Sequence, residues 1–234
     1  MSKTELYTQS GVAMTCRSYQ EYKEMFMFKE DLFSKGKILD IASGASSFIA
    51  ELNQMEYEAI AVDPLYKLTS EEIYDLGKKE INIASQKLSQ NENLFIWNNY
   101  KSLKHHDEIR NRSLNQFIDN YRKDKHKEKY IPATLPNLPF DNNTFSLVFC
   151  NHFLFLYQEQ FDFKFHLDAI NEMVRITKKG GLILIYPLVG FKDEIYPHLD
   201  KLIDSLNTND VSAKINETKF RFLPSATHYL KIDK

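Results

Sequence analysis

Cysteine is almost absent. The only two, Cys16 and Cys150, form no CxxC pair, so the 234-residue chain carries no disulfide framework. No apolar run approaches the roughly 18 residues of a membrane span, and the start MSKTELYTQS lacks the charged-then-apolar pattern of a signal peptide. A soluble, cytoplasmic protein is the expectation. An excess of one charge is missing too: 30 Lys and Arg face 32 Asp and Glu, and a formal charge of −2 points to neither nucleic acid nor anionic lipid. There are no repeats, no low-complexity segments and no interdomain linker. What the chain does have is a 43% apolar share and a high aromatic share of 13%, enough for the core of one α/β domain.

Taken in order, residues 1–15 read as loop. Across 16–33, Tyr19, Tyr22, Met25, Phe26 and Phe33 recur at helical steps, and Ser18 with Glu21 has capping-box spacing. That pattern fits a helix laid across the sheet edge, or one that only closes the core. A strand at Ile38–Ile41 runs through a turn at 42–45 into a helix from Ser46 or Ser47 to about Met55, and a second strand follows at Ala59–Val62. Residues 70–129 contain only one strand-like stretch, 94–97, and otherwise read as helices at about 70–89 and 102–122. Within 101–129, nine Lys and Arg outnumber five Asp and Glu. An insertion this long is a lid or a binding element, read here as a helical cap. Further strands are expected at 130–134, 145–150 and 182–186, and helices at 161–177 and 195–206, the first stopped by Gly180-Gly181. The tail, 211–232, reads as two antiparallel strands around Leu223-Pro224-Ser225. The expectation is a single α/β domain over 1–234 with a doubly wound, mostly parallel, seven-stranded Rossmann-like sheet. It carries helices on both faces, an antiparallel C-terminal edge hairpin, an N-terminal helical cover (1–35) and the cap (70–129) between strands two and three.

The chemistry gathers at the strand ends. Ala42, Ser43, Gly44, Ala45, Ser46 and Ser47 are all small, the condition for a turn whose backbone amides approach a ligand. Either serine can cap the following helix and leave its first amides facing that ligand. Asp40, ahead of the turn, suits a cationic amine and not a pyrophosphate, which argues against NAD and for a ligand carrying an ammonium and a sulfonium. Asp63, 23 residues on, stands where a carboxylate accepts bonds from ribose hydroxyls.

From about Lys37 to Pro187 the chain resembles the class I S-adenosylmethionine-dependent methyltransferases. Asp40-Ile41-Ala42-Ser43-Gly44-Ala45-Ser46 occupies their acid-x-Gly-x-Gly-x-Gly turn, with Gly44 kept and Ala42 and Ser46 in place of the outer glycines. The resemblance implies S-adenosyl-L-methionine as cofactor, Asp63 at the ribose, and Pro64 and Leu65 beside the adenine. Thr134 stands where the family has the acid that recognises the adenine amino group, and the Leu135 amide reaches the ring. Ser146 replaces the acid of the D-x-V strand, and I-T-K-K-G-G-L-I-L-I-Y resembles the family's helix-K-x-G-G-strand segment.

Methyl transfer from a sulfonium is an in-line displacement in a water-shielded site; a hydroxyl or carbon acceptor also needs a general base. In the family, residues just after strand four line the junction of methyl and acceptor: Asn151, His152, Phe153 and Tyr157 here. His152 is the candidate base, or a histidine holding a carbonyl or stacking near the methionine. Asn151 offers its amide oxygen to the methionine ammonium or to an acceptor amine. Arg17 is a candidate partner for the methionine carboxylate. His105, His106 and His126 lack metal-ligand spacing and read as solvent-facing lid positions, with no metal expected. A small-molecule methyl acceptor is expected. The alternatives are an RNA or protein methyltransferase docking through the basic insertion, for which the charge excess is thin, and a non-catalytic domain of the same fold.

Overall fold

The structure, a computed structural model, describes residues 11–124, 126, 128–208 and 210–234. Among these residues the sheet has seven strands: β1 (Ile38–Ile41), β2 (Ala59–Val62), β3 (Tyr130–Ile131), β4 (Phe145–Asn151), β5 (Thr177–Tyr186), β6 (Ser212–Glu217) and β7 (His228–Asp233). They lie in the order β3-β2-β1-β4-β5-β7-β6. The first five are parallel, while β7 runs antiparallel to both β5 and β6. The chain leaves β1 toward β2 on one side and returns to β4 on the other, so the topological switch point lies at the carboxyl ends of β1 and β4, where open α/β sheets bind ligands.

Side chains alternate between the faces along each strand. Ile38, Ala59, Leu147, Phe149, Leu184 and Tyr186 belong to one core, while Leu39, Ile41, Val148, Cys150, Ile183 and Ile185 belong to the other. The first core is covered by α1 (Tyr19–Phe26), α2 (Phe48–Gln54), α3 (Ser70–Ser89) and α4 (Leu103–Tyr121), the second by α5 (Phe163–Ile176) and α6 (Leu199–Leu206). Among the described residues no helix is long and apolar enough to cross a membrane.

Several boundaries differ from the sequence expectation. The helical pattern at 16–33 breaks after Phe26, because Met27 takes a left-handed φ of 47° as the C-cap, and a short 3-10 helix (Glu30–Lys35) follows. Tyr22, Met25 and Phe26 pack on the sheet face, and Tyr22 stacks on Phe48 with ring centroids 4.0 Å apart, so α1 closes the core. Residues 94–97 are no strand; Ile96 N–H donates to the Phe222 carbonyl at 2.8 Å in a loop. The helix expected at 195–206 starts only at Leu199, since Pro197 disfavours helical geometry in the residue before it. Gly180-Gly181 does not end α5. The helix stops at Ile176, and Thr177 already pairs with Phe145 in the sheet. The glycine pair instead turns against the chain end, with Gly180 N–H on the Lys234 carbonyl at 2.5 Å and Lys234 N–H on the Gly181 carbonyl at 3.1 Å.

Between β2 and β3 lie a 3-10 helix (Pro64–Lys67), α3, a 3-10 turn (Glu92–Leu94) and α4. Leu114, Phe117 and Ile118 of α4 are buried in the sheet-facing core, and Ser113 accepts from Ser47 of the cofactor turn at 3.0 Å. This helix is the crossover that a parallel β2–β3 connection requires.

Candidate active site

The cofactor turn leaves β1 with Ala42 at φ 54° and Gly44 at φ 56°. A Cβ on Gly44 would sit 2.8 Å from the Thr15 carbonyl, so close approach of backbone demands glycine here. The neighbour is the chain's own N-terminal strap, residues 11–18. Ala45 N–H donates to Thr15 O at 3.1 Å, and Ser47 N–H to Arg17 O at 2.9 Å. Ser46 Oγ and Ser113 Oγ also donate to Arg17 O, at 2.7 and 2.9 Å. The expectation that capping leaves the first helix amides open to a ligand is therefore corrected: these amides already have acceptors within the chain. Ser47 turns its hydroxyl to Glu51 at 2.6 Å, and Phe48 N–H is held by Ser46 Oγ at 3.2 Å.

Asp63, at the end of β2, accepts from Gly44 N–H and from Leu65 N–H, both at 2.9 Å. Burial raises its pKa, and the two amides oppose that shift. Each carboxylate oxygen keeps a second lone pair for a hydroxyl. Pro64 opens the 3-10 helix after it, and Tyr66 closes the corner by donating its hydroxyl to the Gly44 carbonyl at 2.8 Å.

Asp40 is completely buried, and Tyr22 donates to its Oδ2 at 2.8 Å. Burial pushes its carboxyl up to about 7, and the neighbouring Ser43 and Tyr22 hydroxyls oppose that shift. The Tyr22 hydroxyl sits among Asp40, Asn151 and Ser46. Among the described residues, four buried polar atoms at this edge have no hydrogen-bond partner: Asp40 Oδ1, Ser43 Oγ, Asn151 Nδ2 and Arg17 Nε. Such atoms are costly unless a ligand or water completes them. An acceptor on a buried acid with donors on Asn151 and Arg17 suits an amino-acid zwitterion, so the residues present fit the methionine end of S-adenosylmethionine.

Beside the strap is a cavity of about 150 Å³, lined on one side by residues 13–17 and on the others by His152, Tyr157, Tyr186, α3 and residues 222–226. His152 holds φ 52°, its backbone N–H donates to Tyr186 O at 2.7 Å, and its Nδ1 bonds Asn151 Oδ1. Burial, then the Arg17 guanidinium, holds His152 neutral, well below the usual histidine range.

A charged cluster that sequence reasoning missed backs this cavity. Glu21 accepts from Arg17 Nη1 at 3.0 Å, from Arg110 Nη1 at 2.8 Å and from the Tyr100 hydroxyl at 2.6 Å, and it also pairs with Arg110 Nη2. Removing one member would leave buried charge uncompensated, at a cost of about 3–5 kcal/mol. His106 is corrected from solvent-facing to buried: Arg110 Nε donates to its Nε2 at 3.2 Å, its Nδ1 meets Asp107 at 3.0 Å, and burial lowers its pKa to about 4. His105 is half-buried on the Tyr100 carbonyl, and His126 is exposed. The one local signal for the cluster was the Arg17–Glu21 i,i+4 spacing; Tyr100 and Arg110 come from distant sequence.

The expected site residues do not all converge. Asp40, Ser43, Asn151 and Arg17 contribute the open polar atoms, and Gly44 and Asp63 adjoin through their bond. Thr134 is exposed and donates its hydroxyl to the Leu135 carbonyl at 2.9 Å, while the Leu135 side chain enters the opposite core. Phe153 turns to Phe161, with centroids 5.5 Å apart, on the α5 side of the sheet.

A strand order of 3-2-1-4-5-7-6 with acids ending β1 and β2 defines a Rossmann-like methyltransferase fold. The family model described as "Methyltransferase domain" matches residues 108–185, from within α4 to near the end of β5. An uncharacterized protein of Methanocaldococcus jannaschii, MJ0045, is 33% identical over 217 residues, covering 92% of this chain and 93% of its own. An O-methyltransferase family protein from Burkholderia thailandensis shares the fold, with TM-score 0.50, 12% identity, and coverage of 92% of this chain and 56% of its own. A TehB-like SAM-dependent methyltransferase from Corynebacterium glutamicum aligns with TM-score 0.47 and 9% identity over 92% of this chain and 86% of its own. The chain belongs to the class I S-adenosylmethionine-dependent methyltransferases, in one family with the M. jannaschii protein.

Proposed function

We propose that this S-adenosylmethionine-dependent methyltransferase acts on a small-molecule acceptor held in the cavity beside His152. The observation that carries the reading is the set of unpartnered buried atoms on Asp40, Ser43, Asn151 and Arg17, next to a cavity with largely apolar walls. When bound, the cofactor supplies an electrophilic methyl on a sulfonium. Asp40 holds the methionine ammonium, Arg17 its carboxylate, and Asp63 the ribose hydroxyls. Pro64 and Leu65 flank the adenine, and the small residues Ala42, Ser43, Gly44, Ala45 and Ser47 let the backbone come close. His152, from the cavity wall, accepts the acceptor's proton. The helix α3 with the loop after it caps the cavity: Ile81 and Leu88 on one and Phe95 on the other belong to its lining. They exclude water, which in-line displacement needs.

Calorimetry with S-adenosylhomocysteine tests this reading. Binding in the micromolar range is expected, and Asp63→Ala should weaken it by at least tenfold, the value of one or two hydrogen bonds to a charged group. No heat at millimolar ligand would overturn the assignment of the site.

A further inference from the structure

His152 is held in an arrangement that simple shape-filling does not require. Its left-handed φ of 52° costs a non-glycine residue on the order of 1–3 kcal/mol, and such strain concentrates at functional sites. Three contacts impose it: the backbone bond to Tyr186 O at 2.7 Å, the ring set edge-on to Tyr186 at 5.3 Å, and the Nδ1 bond to Asn151 Oδ1. A carboxamide oxygen only accepts, so the imidazole proton lies on Nδ1 and Nε2 carries the lone pair.

His106, Arg110 and Tyr186, which also line the cavity, are already engaged. His106 donates from Nδ1 to Asp107 and accepts at Nε2 from Arg110. Arg110 serves His106, Glu21, Tyr100 and the Cys16 carbonyl with all three nitrogens. The Tyr186 hydroxyl reaches the Ala226 carbonyl at 3.2 Å. Glu80 is partly exposed, so water reaches its charge. The remaining walls are apolar, with Met14, Ile81, Leu88, Phe95 and Phe222 among them. A cavity of about 150 Å³ lined in this way admits a molecule of benzene size. It offers no free cation for a carboxylate once Arg17 is assigned to the cofactor.

We propose that the acceptor is a small aromatic alcohol of the phenol class, whose ring fills the cavity and whose hydroxyl gives its proton to Nε2 of His152, with Asn151 as the positioning residue that keeps Nε2 unprotonated. This rests on the methyltransferase site proposed above. In the transfer the O–H bond breaks and its proton goes to Nε2. The oxygen electron pair forms the O–CH₃ bond, the S–CH₃ pair stays on sulfur, and the imidazolium then returns its proton to water. An amine reaching the site as a neutral lone pair would need no such base.

Two measurements decide it. The first is nitrogen-15 NMR of the histidine rings in the full chain without cofactor. The Nδ1–H tautomer is expected at His152, converting to Nε2–H in Asn151→Ala. Asn151→Asp should keep the tautomer and raise the His152 pKa, so that the acid limb of the pH–rate profile moves to higher pH, a readout that a merely structural Asn151 would not move. The second is transfer from S-adenosylmethionine to phenol, aniline or benzoate, read by product mass. Phenol should be methylated in preference, and His152→Ala should lower the rate about 100-fold or more while calorimetry still registers S-adenosylhomocysteine. An Nε2–H tautomer in the wild type, preference for aniline or benzoate, or no transfer to phenol by protein that binds S-adenosylhomocysteine would overturn the proposal. Protein that binds no S-adenosylhomocysteine would instead overturn the cofactor site, and the tautomer measurement would still decide the role of Asn151.

Discussion

Asp40 is the residue whose chemistry the cofactor should change most. Its ordinary value is 3.8, and burial raises it to about 7. A raised carboxyl favours the protonated form in the folded chain. Its contribution to stability is therefore present at low pH and lost as pH rises from about 4 through 7. A ligand ammonium reverses that preference, because only the ionised carboxylate holds it. Affinity for S-adenosylhomocysteine should thus be flat above about pH 7 and fall toward tenfold per pH unit below it, with Asp40→Asn weaker overall and flat across the range. Calorimetry from pH 5.5 to 8.5 checks this; an unchanged slope in Asp40→Asn would remove Asp40 from the methionine end. The residue scale is also where local sequence misled. His106 stands among charged neighbours and reads as exposed, yet Phe222 stacks on its ring at 5.7 Å and Tyr100 meets it edge-on at 4.8 Å. Both partners are remote enough, or irregular enough, that no periodic pattern announces them.

Among the elements, the strap is the one whose position has mechanical consequences. Met14 and Thr15 press on Gly44 and Ala45, and residues 13–16 wall the cavity. Arg17, at the strap's end, is anchored by Glu21 and by Tyr100 at 2.6 Å. Ahead of it the attachments are single bonds, such as Ala13 N–H on the Tyr157 hydroxyl at 2.8 Å and Arg110 on the Cys16 carbonyl at 2.6 Å. A ligand that takes the face of Gly44 competes with Thr15 for it, so the strap should lift about Arg17 when the cofactor enters. Hydrogen exchange at residues 12–16 should quicken on adding S-adenosylhomocysteine. Tyr157→Phe, which frees Ala13, should tighten binding about fivefold, the worth of about 1 kcal/mol of hydrogen bond. Slower exchange with weaker binding in Tyr157→Phe would make the strap a cover that closes over the ligand. Sequence could locate β1, β2, α3 and α4 closely because each is set by its own pattern: buried runs for the strands, and caps at Thr69 and Ser102 for the helices. It could not foresee that Gly180-Gly181 belongs to the sheet. Their partner is Lys234, whose Nζ also reaches the Val174 and Thr177 carbonyls at 2.7 Å, and that pairing closes only in the folded chain.

For the whole molecule, the doubly wound, mostly parallel sheet with its antiparallel C-terminal edge followed from the alternation of elements, which chain connectivity and handedness constrain to few arrangements. Which cations remain accessible depends on tertiary packing, and this bears on the acceptor. The basic excess of 101–129 suggested a nucleic-acid docking face, but folding redistributes it. Arg110 is buried against Glu21, and Arg122 pairs with Glu71 at 3.1 Å. Along the outer side of α4, exposed Lys104 and Arg112 alternate with exposed Glu108 and Asp119. Phosphate binding needs several cations tracking one backbone, each adding to affinity by counterion release. A face of alternating sign repels as many phosphates as it attracts, and the net charge of −2 adds no long-range steering. Fluorescence anisotropy with a labelled 20-nucleotide RNA should therefore give no saturable binding tighter than about 10⁻⁴ M at 50 mM salt, the weak end of non-specific association. Micromolar binding that falls steeply between 50 and 200 mM salt would return the acceptor to RNA and make the cavity beside His152 a base pocket.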